Sequence, residues 1–303
     1  MSTPTMPKRV TLIEVGPRDG LQNEPVFVPS AQKIELINQL SQTGLKNIEV
    51  TSFVSEKAIP QLADNLTVFD AINKPKDINF SALVPNITGL EQAIKAGLKN
   101  IAVFTAASDT FNQRNINCTI KESLARCKLV VEAAKQHKLY IRAYISCVLG
   151  CPYEGNISPK QVADVTQQLL DLGVDEISFG DTIGVGTPRQ TLDLIHAISE
   201  LLPFEKIAMH FHDTYGQAIA NIYASLTAGI HRFDSAIAGL GGCPYAQGAS
   251  GNVATEDVLY LMHGLGIETG VDIYKVVQAG DKICHYLSRK NQSKVATALL
   301  ATQ

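Results

Sequence analysis

The sequence predicts an α/β fold in which eight parallel strands close into a (β/α)8 TIM barrel with extra C-terminal helices. Three observations predict it. Apolar, β-rich runs alternate with helical patterns along the 303 residues. The alternation occurs eight times, the number that closes such a barrel. No GxGxxG follows the first strand, as an open doubly wound sheet would usually show.

The units run in order. VTLIEVG (10–16) precedes the helical pattern AQKIELINQLSQTG (31–44), and NIEVTSF (47–53) precedes a helical stretch in the sixties. INFSALV (78–84) leads to ITGLEQAIKAG (87–97), and NIAVFTA (100–106) to a long pattern from about 120 to 137. YIRAYIS (140–146) leads to PKQVADVTQQLLDLG (159–173), and EISFGD (176–181) to PRQTLDLIHAISEL (188–201). KIAMHFHD (206–213) leads to QAIANIYASLTAG (217–229), and RFDSAIAG (232–239) to TEDVLYLMHGL (255–265). Apolar residues recur at the three-and-four spacing in most helical stretches, and Gly44, Gly97, Gly173 and Gly229 stop four of them. The strands are largely apolar, as parallel strands covered on both faces must be. Residues 271–303 are left over and read as additional C-terminal helices on a single catalytic domain spanning 1–303.

Composition excludes several function classes. The chain is 45% hydrophobic and 18% charged, with a net charge of -3 and a pI near 6.2. That balance gives no electrostatic case for nucleic acid or an anionic membrane surface. No apolar run is long enough to span a bilayer. The N-terminus MSTPTMPKRV lacks the apolar core of a signal peptide, and LLATQ carries no peroxisomal or lipidation signal. A cytoplasmic protein is expected. The six cysteines form no CxxC pair, so most are expected to be buried free thiols.

Barrel enzymes carry their chemistry at the C-terminal strand ends, and the unusual polar residues gather there. Strand 1 ends in Gly16-Pro17-Arg18-Asp19-Gly20. Strand 7 ends in His210-Phe211-His212-Asp213. A strand has a side-chain period of two, so both imidazoles point to one face. A divalent cation is a natural shared partner for them. Asp19 completes a two-imidazole, one-carboxylate set, because strands 7, 8 and 1 are consecutive around the ring. The amide oxygen of Asn252 is a further ligand candidate. With no thiolate needed, the donors suit Mg2+ or Mn2+, with Zn2+ or Co2+ as substitutes.

Other residues follow from this centre. Arg18 could donate to a carbonyl or enolate oxygen. Glu49, inside an apolar strand, needs a partner, and Arg18 is available. Arg142 on strand 5 is expected to pair similarly or to hold a substrate carboxylate. Asp181 could orient a ligating histidine, and Asp213 could simply cap the following helix. The run GLGGCPYAQGASGN (239–252) has five glycines and suits a loop that brings Cys243 over the mouth as a proton carrier.

With these residues in place, the chain resembles the 3-hydroxy-3-methylglutaryl-CoA lyase family. The matching stretches are EVGPRDGLQNE (14–24), EVTSFVS (49–55), NINCTIKES (115–123), SCVLGCPYEG (146–155), EISFGDTIGVGTP (176–188), HFHDTYGQA (210–218) and GLGGCPYAQGASGNVATED (239–257). They cover essentially the whole chain, in order. The resemblance implies cation-dependent cleavage of 3-hydroxy-3-methylglutaryl-CoA to acetyl-CoA and acetoacetate, the last step of leucine breakdown. It implies Asp19, His210, His212 and Asn252 as cation ligands and Arg18 as the residue that stabilises the enolate. It also implies Glu49 as the acidic partner of Arg18 and Cys243 as the catalytic thiol. The base is left between Asp19 and His210. The family also implies an acyl-CoA substrate and a homo-oligomer, a dimer or more. Three alternatives compete: a related condensing synthase, a lyase for longer 3-substituted 3-hydroxyglutaryl-CoA esters, and a barrel that binds metal without catalysis.

Overall fold

The structure is a computed structural model that describes residues 6–242 and 251–302. Eight parallel strands form one closed barrel in sequence order: β1 (Thr11–Glu14), β2 (Asn47–Ser52), β3 (Asn79–Leu83), β4 (Asn100–Ala106), β5 (Tyr140–Ser146), β6 (Glu176–Asp181), β7 (Ile207–Phe211) and β8 (Arg232–Ser235). β1 and β8 close the ring, with Ile13 opposite Asp234 and Glu14 opposite Ser235. The predicted fold class therefore holds.

The helices are α1 (Ser30–Leu40), α2 (Asn65–Ala71), α3 (Ile87–Lys95), α4 (Asp109–Ile116), α5 (Ile120–Gln136), α6 (Pro159–Leu172), α7 (Pro188–Ser199), α8 (Ala218–Thr227), α9 (Thr255–Gly264), α10 (Ile273–Tyr286) and α11 (Lys294–Leu300). Their ends follow local chemistry. Ser158 and Thr119 open α6 and α5 with reciprocal caps to Gln161 and Glu122. Gly173 ends α6 in the left-handed conformation, at φ 84°. α4 was not expected from the sequence. Its residues DTFNQRNI offer a weak apolar stripe, and the helix is nucleated by Ser108, whose side chain accepts from the N–H of Phe111 at 3.0 Å. No helix among the described residues is long and apolar enough to cross a membrane.

β1 and β8 are shorter than the apolar runs suggested. Val15 ends β1 because its carbonyl accepts from the N–H groups of Arg18, Asp19 and Gly20 at 3.1, 2.8 and 3.1 Å, closing a tight helical turn over Gly16–Gly20. β8 gives way to a 3-10 turn, Ile237–Gly239. Its Ala238 takes a left-handed φ of 56°, and both Glu256 carboxylate oxygens accept from its N–H at 3.0 Å.

The apolar core lies between strands and helices, where Ile48, Leu90, Ile177, Leu194 and Phe211 are all buried. The barrel interior is different. Arg142 on β5 reaches Asp234 on β8, and Tyr144 on β5 donates to Glu49 on β2. Those strands are not neighbours in the ring, so these bonds cross the inside of the barrel.

Candidate functional site

Two turns pack against each other at the mouth. A Cβ on Gly16 would lie 2.6 Å from Glu14 Oε1 and 2.9 Å from Ile237 Cγ2, and one on Gly20 would lie 2.8 Å from Leu240 Cβ. Only glycine lets the Gly16–Gly20 turn sit this close to the turn after β8. The result aims Arg18 and Asp19 into the mouth. Arg18 donates from Nε to Glu49 Oε1, and from Nη1 to Asp19 Oδ1 at 2.7 Å. Tyr144 Oη donates to the other Glu49 oxygen at 2.9 Å, and its ring lies 5.4 Å from the guanidinium carbon.

The electrostatics follow from these pairs. Burial alone would make Arg18 easier to deprotonate, but Glu49 and Asp19 hold its pKa above the usual arginine value, so it stays a cation. Burial alone would raise the Asp19 pKa. Arg18, then the His210 and His212 imidazoles, pull it well below the carboxylate range instead. Asp19 is therefore a permanent anion at neutral pH.

His210 and His212 share a face, with ring centroids 5.2 Å apart. His212 lies one residue past β7, in a bridge to Asn252. Asp19, His210 and His212 each offer a ligand atom within 4.8 Å of the others. Burial and the neighbouring His210 push the His212 pKa down to about 4, which leaves a neutral ring with a free lone pair. Asn252 donates through Nδ2 to Asp19 Oδ2 at 2.9 Å and to Leu240 O at 3.1 Å. That turns its Oδ1 away, and both Asn252 Oδ1 and His212 Nδ1 are buried with no hydrogen-bond partner. Buried acceptors without partners are rare in folded proteins. An orphaned His212 nitrogen beside a carboxylate and a second imidazole fits a bound metal ion, and three of the four predicted ligands converge on one corner, which Asn252 reaches through its amide nitrogen on Asp19.

Some sequence expectations need correction. Asp181 does not orient a histidine: its oxygens accept from the N–H groups of Val185 and Gly186 at 3.2 and 2.9 Å. Asp234 does that work, with Oδ2 3.1 Å from His210 Nδ1. This leaves His210 Nε2 as the nitrogen available to a cation. Arg142, expected to bind substrate, is not brought to the mouth cavity. It lies near the start of β5 and is ion-paired with Asp234 at 2.5 Å and Glu176 at 2.8 Å. Asp213 is a cap, accepting from the N–H of Ala218 at 2.9 Å at the start of α8. Cys243 lies outside the described residues. The five cysteines within them are buried, and no disulfide joins them.

Asp234 and Tyr144 were missed. A signal for Asp234 existed: a carboxylate in the apolar run RFDSAIAG is as conspicuous as Glu49 in its own strand. Tyr144 shares a strand face with Arg142, which donates to its hydroxyl at 3.3 Å, but its other partners come from the Gly16–Gly20 turn, β2 and β7. Its ring stands edge-on to His210 at 6.4 Å.

The site opens into a cavity of about 810 Å3. Its lining includes Arg18, Asp19, His210 and His212 together with the apolar Val54, Ile59, Leu83, Phe104, Phe111 and Ile116. A pocket of this kind, apolar with a few convergent charges, suits an organic substrate with a reacting polar end.

Comparison with known proteins agrees. A family model described as HMGL-like matches residues 9–283. The chain is 57% identical, over 98% of its length and 99% of the relative's, to a Pseudomonas aeruginosa protein named 3-hydroxy-3-isohexenylglutaryl-CoA/hydroxy-methylglutaryl-CoA lyase. It is 52% identical to the cytoplasmic 3-hydroxy-3-methylglutaryl-CoA lyase of Rattus norvegicus, over 97% of this chain and 85% of that one. A crystal structure of hydroxymethylglutaryl-CoA lyase from P. aeruginosa superposes with a TM-score of 0.96 at 56% identity, covering 98% of this chain and 99% of that one. An HMG-CoA lyase from Acinetobacter baumannii, solved with coenzyme A and 3-methylmalate, superposes with a TM-score of 0.92 at 38% identity over 96% and 95%. A turn bearing Arg18 and Asp19, two imidazoles on one strand face, and a family match over nearly the whole length lead to one conclusion: the chain belongs to the HMGL-like family.

Proposed function

We propose that this chain is a cation-dependent carbon–carbon lyase that cleaves 3-hydroxy-3-methylglutaryl-CoA to acetyl-CoA and acetoacetate, in leucine degradation. The observation that carries the reading is the corner where Asp19, His210 and His212 meet, with Asn252 hydrogen-bonded to Asp19, beside a buried, cationic Arg18. The oxygen and imidazole donors, with no thiolate among them, favour Mg2+ or Mn2+. A cation held there would act as a Lewis acid, making a tertiary hydroxyl easier to deprotonate and polarising a carbonyl.

The chain's own residues do the rest. The C3 hydroxyl loses its proton, the C2–C3 bond breaks, C3 becomes the ketone of acetoacetate, and the electron pair moves onto the thioester as an enolate. Arg18 supplies positive charge where that oxygen becomes negative. Glu49 and Tyr144 hold the guanidinium in place, so no reorganisation is needed as charge develops. Either Asp19 or His210, neighbours in the proposed cation corner, takes the hydroxyl proton as base. Cys243 delivers the proton that converts the enolate to acetyl-CoA. The acyl-CoA enters through the mouth cavity. Residues 1–303 act as one catalytic domain, with 271–303 as its helical additions, in a cytoplasmic homo-oligomer.

The test is acetoacetate release from the methylglutaryl thioester with and without chelator. Turnover that vanishes on metal removal and returns with Mg2+ or Mn2+ supports the reading. Undiminished turnover by metal-free protein overturns it.

A second reading has its own support. The P. aeruginosa relative also carries the isohexenylglutaryl ester in its name. The apolar side chains of Ile59, Leu83, Phe104 and Phe111 in the cavity lining give a longer C3 substituent somewhere to go. Comparing kcat/KM for the methyl and isohexenyl esters separates the two.

A further inference from the structure

Outside the barrel, the segment between α10 and α11 forms a strap beside the site. α10 ends in a reversed turn in which Ser288 takes a φ of 51° and the Arg289 N–H returns to Cys284 O at 3.0 Å. The strap is fastened at its far end by Asp257 of α9, which accepts from Ser293 Oγ at 2.7 Å and the Val295 N–H at 2.9 Å. In between, the Gln292 N–H donates to Ala238 O at 3.1 Å. A Cβ on Gly239 would lie 2.9 Å from Gln292 Cβ. The strap thus lies directly on the turn after β8.

Arg289 leaves this strap and pairs with Glu24, at side-chain exposures of 19% and 7%. Glu24 also accepts from the Gly241 N–H, and its neighbour Asn23 donates to Gly242 O at 3.2 Å. Gly241 in turn is the wall behind Asn252. At φ 122°, a Cβ on it would meet Asn252 Nδ2 at 2.7 Å and Gly20 Cα at 3.6 Å. Contacts therefore run without a gap from Arg289 through Glu24 and Gly241 to Asn252 and the turn that bears Asp19.

We propose that Arg289 is a positioning residue for the cation corner: by clamping Glu24 against Gly241, it fixes the side of the site that presents Asn252 and Asp19. Glu24 is the hinge pin of the clamp. Its carboxylate holds Arg289 from the C-terminal strap and Gly241 from the mouth turn at once. Loss of the guanidinium frees Glu24 to turn toward water, and Gly241 loses its acceptor. Asn252 then loses the backing that keeps its amide nitrogen on Asp19 and its oxygen free. Physical networks of this length typically change a coupled equilibrium by roughly three- to thirtyfold.

The inference rests on the cation-dependent reading above, and its test separates the two. Mn2+ binding to the full-length protein is followed through the electron paramagnetic resonance signal of the free ion, alongside steady-state kinetics. Arg289→Met is expected to weaken Mn2+ binding by roughly three- to thirtyfold, with kcat restored by excess Mn2+ and KM for the thioester unchanged. Exchange of the Gly241 N–H should quicken. Arg289→Lys and Glu24→Gln, which keep a charge and an acceptor respectively, should fall between wild type and Arg289→Met. These two decide the matter should Arg289→Met fail to fold. Variants that melt earlier but bind Mn2+ as tightly as wild type overturn the clamp and leave the lyase reading standing. Wild-type protein that takes up no Mn2+ overturns both.

Discussion

The inside of the barrel and the shell around it obey opposite rules. The shell between strands and helices is filled by side chains such as Leu40, Ile48, Leu90 and Ile177, all fully buried. The interior, which barrels commonly fill with branched apolar residues, holds Glu49, Arg142, Tyr144, Glu176, Ser178 and Asp234, equally buried. Charges at that depth are tolerated only in satisfied groups. Each interior guanidinium accordingly sits between two carboxylates: Arg142 between Asp234 and Glu176, Arg18 between Asp19 and Glu49. At the mouth the pattern changes: Asn252 Oδ1 and His212 Nδ1 are buried there without hydrogen-bond partners. The difference teaches that stability and chemistry are kept apart. The shell holds the fold, and the interior carries an ion-pair column that ends at the cluster of Asp19, His210 and His212.

That separation can be broken or sharpened by substitution. The largest effect is expected for Arg18→Met. Removing a donor aimed at developing charge typically slows turnover by about 10²–10³-fold, measured as acetoacetate release, and Arg18→Lys should recover part of it. A near wild-type rate for Arg18→Met would remove the enolate role. Next comes Asp234→Asn, which leaves His210 in place without the carboxylate on its Nδ1. Loss of such a partner typically costs about 10–100-fold in metal affinity or activity, readable by isothermal titration with Mn2+. Affinity equal to wild type would show that Asp234 serves the fold alone.

Leu40→Ala tests the other half of the comparison. A cavity in the shell should lower unfolding free energy by about 2–5 kcal/mol in urea while kcat stays put. A fall in kcat of the folded variant would show that shell and interior are coupled.

The smallest effect is a pH slope. Burial raises Glu14 to about 7 and Glu256 to about 8. A carboxyl whose folded pKa is raised stays protonated in the native state while the unfolded chain has already lost the proton. The native state then binds more protons, so stability falls as pH rises from about 4.5 towards 8. Unfolding midpoints should therefore decline over that range, and Glu256→Gln should flatten the decline. A variant with the wild-type slope would put the titration elsewhere.

The contrast also explains which residues could be read from the chain alone. His210 and His212 stand two apart on a strand, and Arg18 and Asp19 are adjacent in a turn, so local geometry already orients them. Glu49 was legible as a carboxylate in an apolar run, and Asn252 through the family likeness. Arg142 was legible as a buried charge that would either pair or hold a substrate carboxylate, and the choice of pairing with Asp234 and Glu176 depends on how the strands are staggered. Asp234 meets Arg142 and His210 from other strands, and Tyr144 meets Glu49 and His210 in the same way; no spacing in the chain announces those meetings.

By itself, the amino-acid sequence determined the eight strand–helix units, their stops at glycine, and the residue types gathered at the strand ends. These are short-range properties, set by side-chain period and backbone freedom. Only the closed barrel decided which buried charge meets which. His210 meets Asp234 across 24 positions of chain, Arg142 meets Asp234 across 92, and Asn252 meets Asp19 across 233. The reason is physical: ring closure and stagger bring distant strands face to face in a buried space, where every charge must take the partner that the geometry supplies.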